Sequence, residues 1–162
     1  MPDVIAVSNA NTRQGGSRRV WTGFFVLLIL FLMLGWVVFS GLASLYWADS
    51  DYSHGFLIVP AALYLIYLRR NLFDMSSVPV PVGGFALVAL GTGIAVFAEC
   101  YDAVFLPMTP LYLTIGGLGL IVCLEGIVLA VWGRRNGRAA LFPVMFLVFA
   151  LPLPGALSAA LT

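Results

Sequence analysis

Ionisable side chains are scarce in this sequence, so the few that could do chemistry stand out. The single histidine, His54, follows Asp51 by three residues, and both lie in a polar stretch, residues 46–55, between two apolar segments. If a helix begins near Asp51, the carboxylate and the imidazole share one face of its first turn. Such an imidazole could act as an acid, a base or a hydrogen-bond partner for a substrate. A loop histidine with local hydrogen bonds is the alternative, and composition alone favours it.

Glu125 and the two cysteines are the other candidates. Glu125 lies in an apolar segment, about 10 Å from its predicted inner end at the rise of an α-helix. An ionisable group at that depth is a candidate functional site. The alternative is a protonated acid bonded to a neighbouring helix, or a carboxylate that reaches towards Arg134 or Arg69. Cys100, in the acidic stretch 99–102, could pair with His54 as nucleophile and base, but an ordinary thiol is the simpler interpretation. Cys123 is typical of packing. None of these spacings predicts a metal, a cofactor or a disulfide framework.

Composition points to a membrane protein. Hydrophobic residues make up 62% of the 162 residues and charged residues only 9%, whereas a soluble domain carries about 25% charged residues. A chain of this length exposes too much surface to hide that many apolar side chains in a core of its own. The net charge of +1 gives no reason to expect nucleic-acid binding.

Five apolar segments of the sequence determine where the candidate residues lie. They predict an all-α, polytopic membrane helix bundle with spans at roughly residues 20–45, 52–68, 83–98, 111–132 and from 139 onward. The second span is short and contains Pro60, which predicts a kink. In the third, Ala89-x-x-x-Gly93 and Gly91-x-x-x-Ala95 predict close approach of a neighbouring helix.

The arginines predict the orientation of the bundle. All eight basic residues are Arg, and they fall in the N-terminal segment 1–19, after the second span and after the fourth. The stretches 46–55 and 99–102 contain none. The positive-inside rule therefore places the N-terminus in the cytoplasm, with segment 1–19 as a disordered tail, and both acidic stretches outside. The aromatic residues near the predicted span ends fit a membrane-interface belt: Trp21, Tyr46, Trp47, Tyr52, Tyr101 and Trp132.

The polar stretch and the residues after it resemble a known family signature. The sequence Trp47-Ala48-Asp49-Ser50-Asp51-Tyr52-Ser53-His54-Gly55-Phe56-Leu57-Ile58-Val59-Pro60 is similar to the N-terminal signature of the exosortase/archaeosortase family. The similarity continues in Leu68-Arg69-Arg70 and in segment 138–154. It covers most of residues 45–162.

The resemblance implies a multi-pass cysteine peptidase or transpeptidase of the bacterial inner membrane. Such enzymes process proteins that carry a C-terminal sorting signal, made of a Pro-Glu-Pro motif, a membrane span and a basic tail, and they are linked to exopolysaccharide export. Membrane lipid and sorting-signal proteins are then the expected partners, with no nucleic acid and the oligomeric state left open. Asp51, Ser53, His54 and Gly55 would form a supporting site on the outer face.

The family's catalytic motif has no match in these residues. Family members use a Cys in an Ala-Cys-Ser-Gly-type motif, with an Arg and a His further on. Here Cys100 precedes Tyr101, Cys123 precedes Leu124, and His54 is the single histidine. We therefore assign no catalytic residue and leave open whether the chain is itself an enzyme. The simplest interpretation is the N-terminal part of an exosortase, with residues 20–162 as its membrane domain, which alone cleaves no sorting-signal protein.

Two other functions fit the same residues. A solute or proton-coupled transporter component would use Glu125 and His54 as relay groups, although the internal symmetry typical of transporters is not visible in the sequence. A non-catalytic membrane scaffold would bind partner helices through the glycine-rich faces of the third and fourth spans.

Overall fold

The structure is a computed structural model that describes residues 2–48, 52–73, 79–104 and 110–152, with side chains from Trp21 onward apart from Pro110. The described ranges are helical and contain no strand. In chain order the elements are α1 (Pro2–Ala48), α2 (Gly55–Leu68), a 3-10 helix (Arg70–Leu72), α3 (Pro81–Val104), α4 (Pro110–Phe146) and a second 3-10 helix (Leu147–Ala150). The predicted all-α membrane helix bundle is confirmed.

Helix α4 folds back on itself at Gly133. In a straight helix Thr114 and Pro152 would lie about 57 Å apart, yet the Thr114 hydroxyl donates a hydrogen bond to the Pro152 carbonyl. Gly133 has φ 79° and ψ −179°, a conformation that is essentially restricted to glycine. Residues 110–132 therefore form a first arm. Residues 134–150, which include the second 3-10 helix, form a second arm that runs antiparallel to it, and the two arms together are called the hairpin.

The helices account for all five predicted spans. Three stretches are long and apolar enough to cross a membrane, Trp21–Ala48, Pro81–Val104 and Leu111–Ala150, and Gly55–Leu68 is a shorter apolar helix. Because Leu111–Ala150 reverses at Gly133, its two arms correspond to the predicted fourth and fifth spans. The 14 residues of α2 reach about 21 Å, which is less than the roughly 30 Å of a hydrocarbon core.

Two helices extend beyond the predicted ends of their spans, one through the acidic stretch 99–102 and one through the arginine-rich residues 134–138. Helix α3 continues through residues 99–102, and α4 resumes directly after Gly133, so that residues 134–138 are helical. A helix satisfies its own backbone hydrogen bonds, which favours its continuation at a membrane boundary. Helix α1 also covers residues 2–19; the division into a cytoplasmic tail, residues 1–19, and a membrane domain stays a prediction.

Small residues bring α3 into contact with the first arm. A Cβ atom added to Gly91 would lie 2.5 Å from the backbone nitrogen of Cys123, and one added to Gly119 would lie 2.7 Å from the backbone nitrogen of Ala95. The predicted close approach through Gly91-x-x-x-Ala95 is thereby confirmed. The other predicted motif, Ala89-x-x-x-Gly93, faces away from the bundle, since a Cβ at Gly93 would have no atom within 4 Å.

Helix α1 packs on the other side of the first arm. Val38 is completely buried and lies 2.9 Å from the position of a Cβ atom at Gly116. Near the opposite end of both helices, the rings of Trp21 and Trp132 are 6.3 Å apart. The first arm is thus the central element, between α1 and α3, while the second arm and α2 complete the bundle.

Candidate functional site

The predicted site residues lie at the start of α2. His54 immediately precedes the helix, and its carbonyl accepts hydrogen bonds from the amides of Leu57 (3.0 Å) and Ile58 (3.3 Å). The Ser53 carbonyl accepts one from the Phe56 amide at 3.2 Å. Ser53 and His54 are both exposed. The two side chains are therefore presented at one end of the bundle, which we call the His54 end.

Asp51 lies outside the described residues. Its predicted position on one helical face with His54 stays a prediction. The helix itself begins at Gly55 rather than near residue 51.

Gly55 is in contact with a buried tyrosine. Tyr46, near the end of α1, is only 8% exposed, and a Cβ atom added to Gly55 would lie 2.6 Å from Cε1 of its ring. The ring of Phe56 packs edge-on to the same tyrosine at 5.2 Å. The first turn of α2 therefore fits against α1 only where glycine leaves room for the ring. Tyr46 therefore faces the interior of the bundle rather than lipid, whereas Trp47 is 85% exposed; the predicted aromatic belt at the membrane interface stays a prediction.

Two hydroxyl groups hold the end of the second arm at the same place. The 3-10 helix Leu147–Ala150 is followed by Leu151 in an extended conformation. Tyr46 Oη donates a hydrogen bond to the Ala150 carbonyl, and Thr114 Oγ1 donates one to the Pro152 carbonyl at 2.5 Å. Carbonyl groups beyond the end of a helix lack intrahelical donors. In a membrane environment such groups need another partner.

The acidic residues of α3 lie near the start of the first arm. Glu99 and Asp102 interact electrostatically with Tyr112, a buried residue of that arm. One carboxylate oxygen of each acid is buried and makes no hydrogen bond to the described part of the chain. Cys100, next to Glu99, is exposed.

The structure assigns Cys100 and His54 to different helix pairs. Helix α3 packs on the first arm, whereas α2 packs on α4 and on Leu147–Ala150. These contacts do not test the predicted pairing of the Cys100 thiol with the His54 imidazole, which stays a prediction. Cys123 is buried, 2% exposed, at the contact between α3 and the first arm, as packing would require. The described residues also contain no group of three potential metal ligands.

Glu125 lies between the two arms of α4. One of its carboxylate oxygens is 3.2 Å from the position of a Cβ atom at Gly137. The other is buried and has no hydrogen-bond partner within the described residues. Glu125 is about 17 Å along the first arm from Thr114, so the structure does not bring it to His54.

An apolar cavity of about 670 Å³ lies below the contact between Tyr46 and Gly55. It is lined by α1, α2 and both arms of α4 and is partly open to the outside of the bundle. Apart from the tyrosine, its lining is entirely aliphatic or aromatic and includes Phe39, Leu63, Val144 and Leu151. This volume is in the range of ligand cavities, but the lining offers no group for acid–base chemistry.

Residues 46–162 match the family model described as transmembrane exosortase, and this range is more than half of the chain. The chain belongs to the transmembrane exosortase family. The exosortase match begins at Tyr46, the residue that contacts Gly55, and includes Ser53, His54 and Glu125. No curated protein and no solved structure matches the chain.

The two hydroxyl donors, Tyr46 and Thr114, carry no signal in the sequence that marks them as a pair. Tyr46 stands at the end of an apolar segment, where an interfacial position is the usual one. Thr114 stands within an apolar run, where a hydroxyl group usually bonds to its own helix. Their shared partner segment is more than 100 residues beyond Tyr46 in sequence, and no local signal connects them.

Proposed function

We propose that this chain forms part of an exosortase-type cysteine peptidase or transpeptidase. The enzyme would process proteins that carry a C-terminal Pro-Glu-Pro-type sorting signal and support exopolysaccharide export. Its place is the bacterial cytoplasmic membrane, with residues 20–162 as the membrane domain, residues 1–19 on the cytoplasmic side and the His54 end outside.

The observation that carries the proposal is membership of the transmembrane exosortase family over residues 46–162. It supports this function over a transporter component or a scaffold. A proton relay through Glu125 and His54 has no support in the geometry, because Glu125 lies between the arms of α4 and His54 lies at the start of α2.

Ser53 and His54 would act on the substrate from the start of α2. Both side chains are exposed at the His54 end, where a polypeptide could meet them at the membrane surface. A hydroxyl and an imidazole can bind a peptide backbone or hold a reacting group in position. Asp51 would support the imidazole electrostatically. None of the three is the nucleophile, and the family's Cys-Ser-Gly motif is transferred to no residue here.

The experiment is replacement of His54 by Ala in the chromosomal gene of the producing bacterium. A reporter protein with a Pro-Glu-Pro-type sorting signal is then followed by mass spectrometry of its C-terminus. We expect processing to fall by about tenfold or more, because a positioned imidazole typically contributes at least that factor. Tyr64→Phe is the matched control on the same helix, since Tyr64 is 60% exposed and removal of its hydroxyl should leave processing unchanged.

Membrane levels of each variant are compared by immunoblot so that lost folding is separated from lost function. Unchanged reporter processing in the His54→Ala strain, or in a strain with the gene deleted, would contradict the proposal.

A further inference from the structure

Three elements meet at one point of the His54 end. The last turn of α1 supplies Tyr46, the first turn of α2 supplies Gly55, and the end of the second arm supplies the Ala150 carbonyl. The tyrosine ring fills the space above Gly55, and its hydroxyl group donates to the carbonyl. One side chain therefore links the helix that follows His54 to the segment that ends the hairpin.

A second hydroxyl group acts on the same segment from another helix. Thr114 of the first arm donates to the Pro152 carbonyl, two residues beyond the carbonyl bound by Tyr46. Between the two bonds, Leu151 is 8% exposed and its side chain packs over Gly117. Residues 150–152 are thus held at both ends and in the middle.

The backbone of this segment explains why two donors are needed. The helix tightens to a 3-10 turn at Leu147–Ala150 and then becomes extended at Leu151, so these carbonyls leave the helical hydrogen-bond pattern. Proline at 152 also has no amide hydrogen to offer a neighbour. Fixed side-chain donors can therefore decide where the segment lies.

We propose that Tyr46 and Thr114 are positioning residues that clamp segment 150–152 beside the start of α2. By this clamp they fix the distance between Ser53-His54 and the point where the chain leaves the hairpin. The role rests on the proposed function, in which Ser53 and His54 act on the substrate at this end of the bundle.

The first test measures the clamp itself, independently of any activity. Hydrogen exchange of the peptide covering residues 147–152 is followed by mass spectrometry in lipid nanodiscs. Tyr46→Phe keeps the ring over Gly55 and removes only the donor, and Thr114→Val is the corresponding change in the first arm. Each should speed exchange of this peptide about fivefold, as expected for the loss of one hydrogen bond. Thr114→Ser, which keeps the donor, should restore the wild-type rate.

The second test measures processing of the sorting-signal reporter in cells by the same variants. Tyr46→Phe and Thr114→Val should reduce processing several-fold, and Thr114→Ser should restore it. Ile127→Val is the control for stability: Ile127 is buried at 1% exposure in the core, away from the clamp, and its truncation costs about as much as one hydrogen bond. This variant should process the reporter normally.

The outcomes separate the clamp from the proposed function. Unchanged exchange in both donor-loss variants overturns the clamp. Faster exchange with unchanged processing, in a strain where His54→Ala abolishes processing, means that the two hydroxyl groups are only structural; the proposed function then stands and the positioning role falls. If His54→Ala has no effect, the proposed function fails and the positioning role falls with it, even where the exchange result shows the two bonds.

Discussion

Gly55 shows how one residue of the polar stretch serves the packing of the whole bundle. Its neighbours Ser53 and His54 are exposed, but Gly55 is buried against the ring of Tyr46. The glycine is required for contact between helices rather than for backbone conformation, because it lies in an ordinary helical turn. The stretch that presents Ser53 and His54 thus also carries a packing requirement.

Replacement of Gly55 by Ala should therefore destabilise the protein. The added Cβ would lie 2.6 Å from Cε1 of Tyr46, and such overpacking typically costs about 1–3 kcal/mol. Thermal unfolding in nanodiscs, followed by circular dichroism, measures the effect. Gly23→Ala is the control, because a Cβ there meets no atom within 4 Å and alanine is the better helix former. Equal unfolding temperatures for the two variants would contradict the packing argument.

Replacement of Glu125, in contrast, should stabilise the protein. One of its oxygens is buried and makes no hydrogen bond to the described residues, and such a group costs about 1–3 kcal/mol. Glu125→Met keeps the length of the side chain and removes the polar group. We expect it to raise the unfolding temperature, and the change Leu124→Met at the neighbouring position to leave it nearly unchanged. A lower unfolding temperature for Glu125→Met would mean that the carboxyl group stabilises the bundle.

At this scale the sequence predicts which residues are unusual, but not which residues meet. His54 and Glu125 stand out because ionisable groups are rare in apolar segments. Tyr46 and Thr114 do not stand out, since hydroxyl groups near span ends are common and their bonds join residues 38 or more apart in sequence. Tertiary contacts of this kind depend on how the helices are arranged, which composition does not determine.

At the scale of the elements, hydrophobic runs predict the helices well and their ends less well. Each predicted span corresponds to an observed helix or arm, because a membrane admits little else than helices over such lengths. The sequence predicts a break between residues 132 and 139, but not that the chain reverses at a single residue, Gly133, with positive φ and helix on both sides of it. The acidic stretch 99–102 was expected to follow its span, yet it forms part of α3.

Contact between α3 and the first arm depends on which face a glycine occupies. Gly91 and Gly93 are two residues apart on α3 and face in different directions. A Cβ at Gly91 would lie 2.5 Å from the Gly119 carbonyl oxygen and from the Cys123 backbone nitrogen. Because backbone atoms cannot rotate away, the two helices would have to separate.

Gly91→Ala should consequently lower stability by about 1–3 kcal/mol or more, and Gly93→Ala should leave it unchanged or raise it slightly. The two variants differ only in helix face, so helix propensity cancels in the comparison. Unfolding in nanodiscs provides the measurement. If Gly93→Ala proved the more damaging of the two, the packing of α3 on the first arm would be wrong.

For the whole molecule, charge is separated along the bundle. The arginines of the described side chains lie at the end opposite His54, around the end of α2 and the turn of α4: Arg69, Arg70, Arg134, Arg135 and Arg138. Glu99 and Asp102 lie near the His54 end, beside Tyr112. At the arginine end, the Arg69 guanidinium stacks on the ring of Phe142 at 4.5 Å, which fixes α2 to the second arm. The positive-inside rule therefore predicts a single orientation for the folded bundle.

That orientation can be measured with a single cysteine at each end. In a Cys123→Ser background, exposed Cys100 reports on the His54 end, and it should react with a membrane-impermeant maleimide in right-side-out vesicles. In a variant that lacks both native cysteines, Arg134→Cys reports on the arginine end and should react only after detergent is added. The expectation follows from the arginines, because moving them across the membrane is strongly unfavourable. The opposite result would be labelling of Arg134→Cys in intact vesicles and no labelling of Cys100 in the Cys123→Ser variant. It would place Ser53 and His54 on the cytoplasmic side, where a sorting signal presented outside the cell could not reach them.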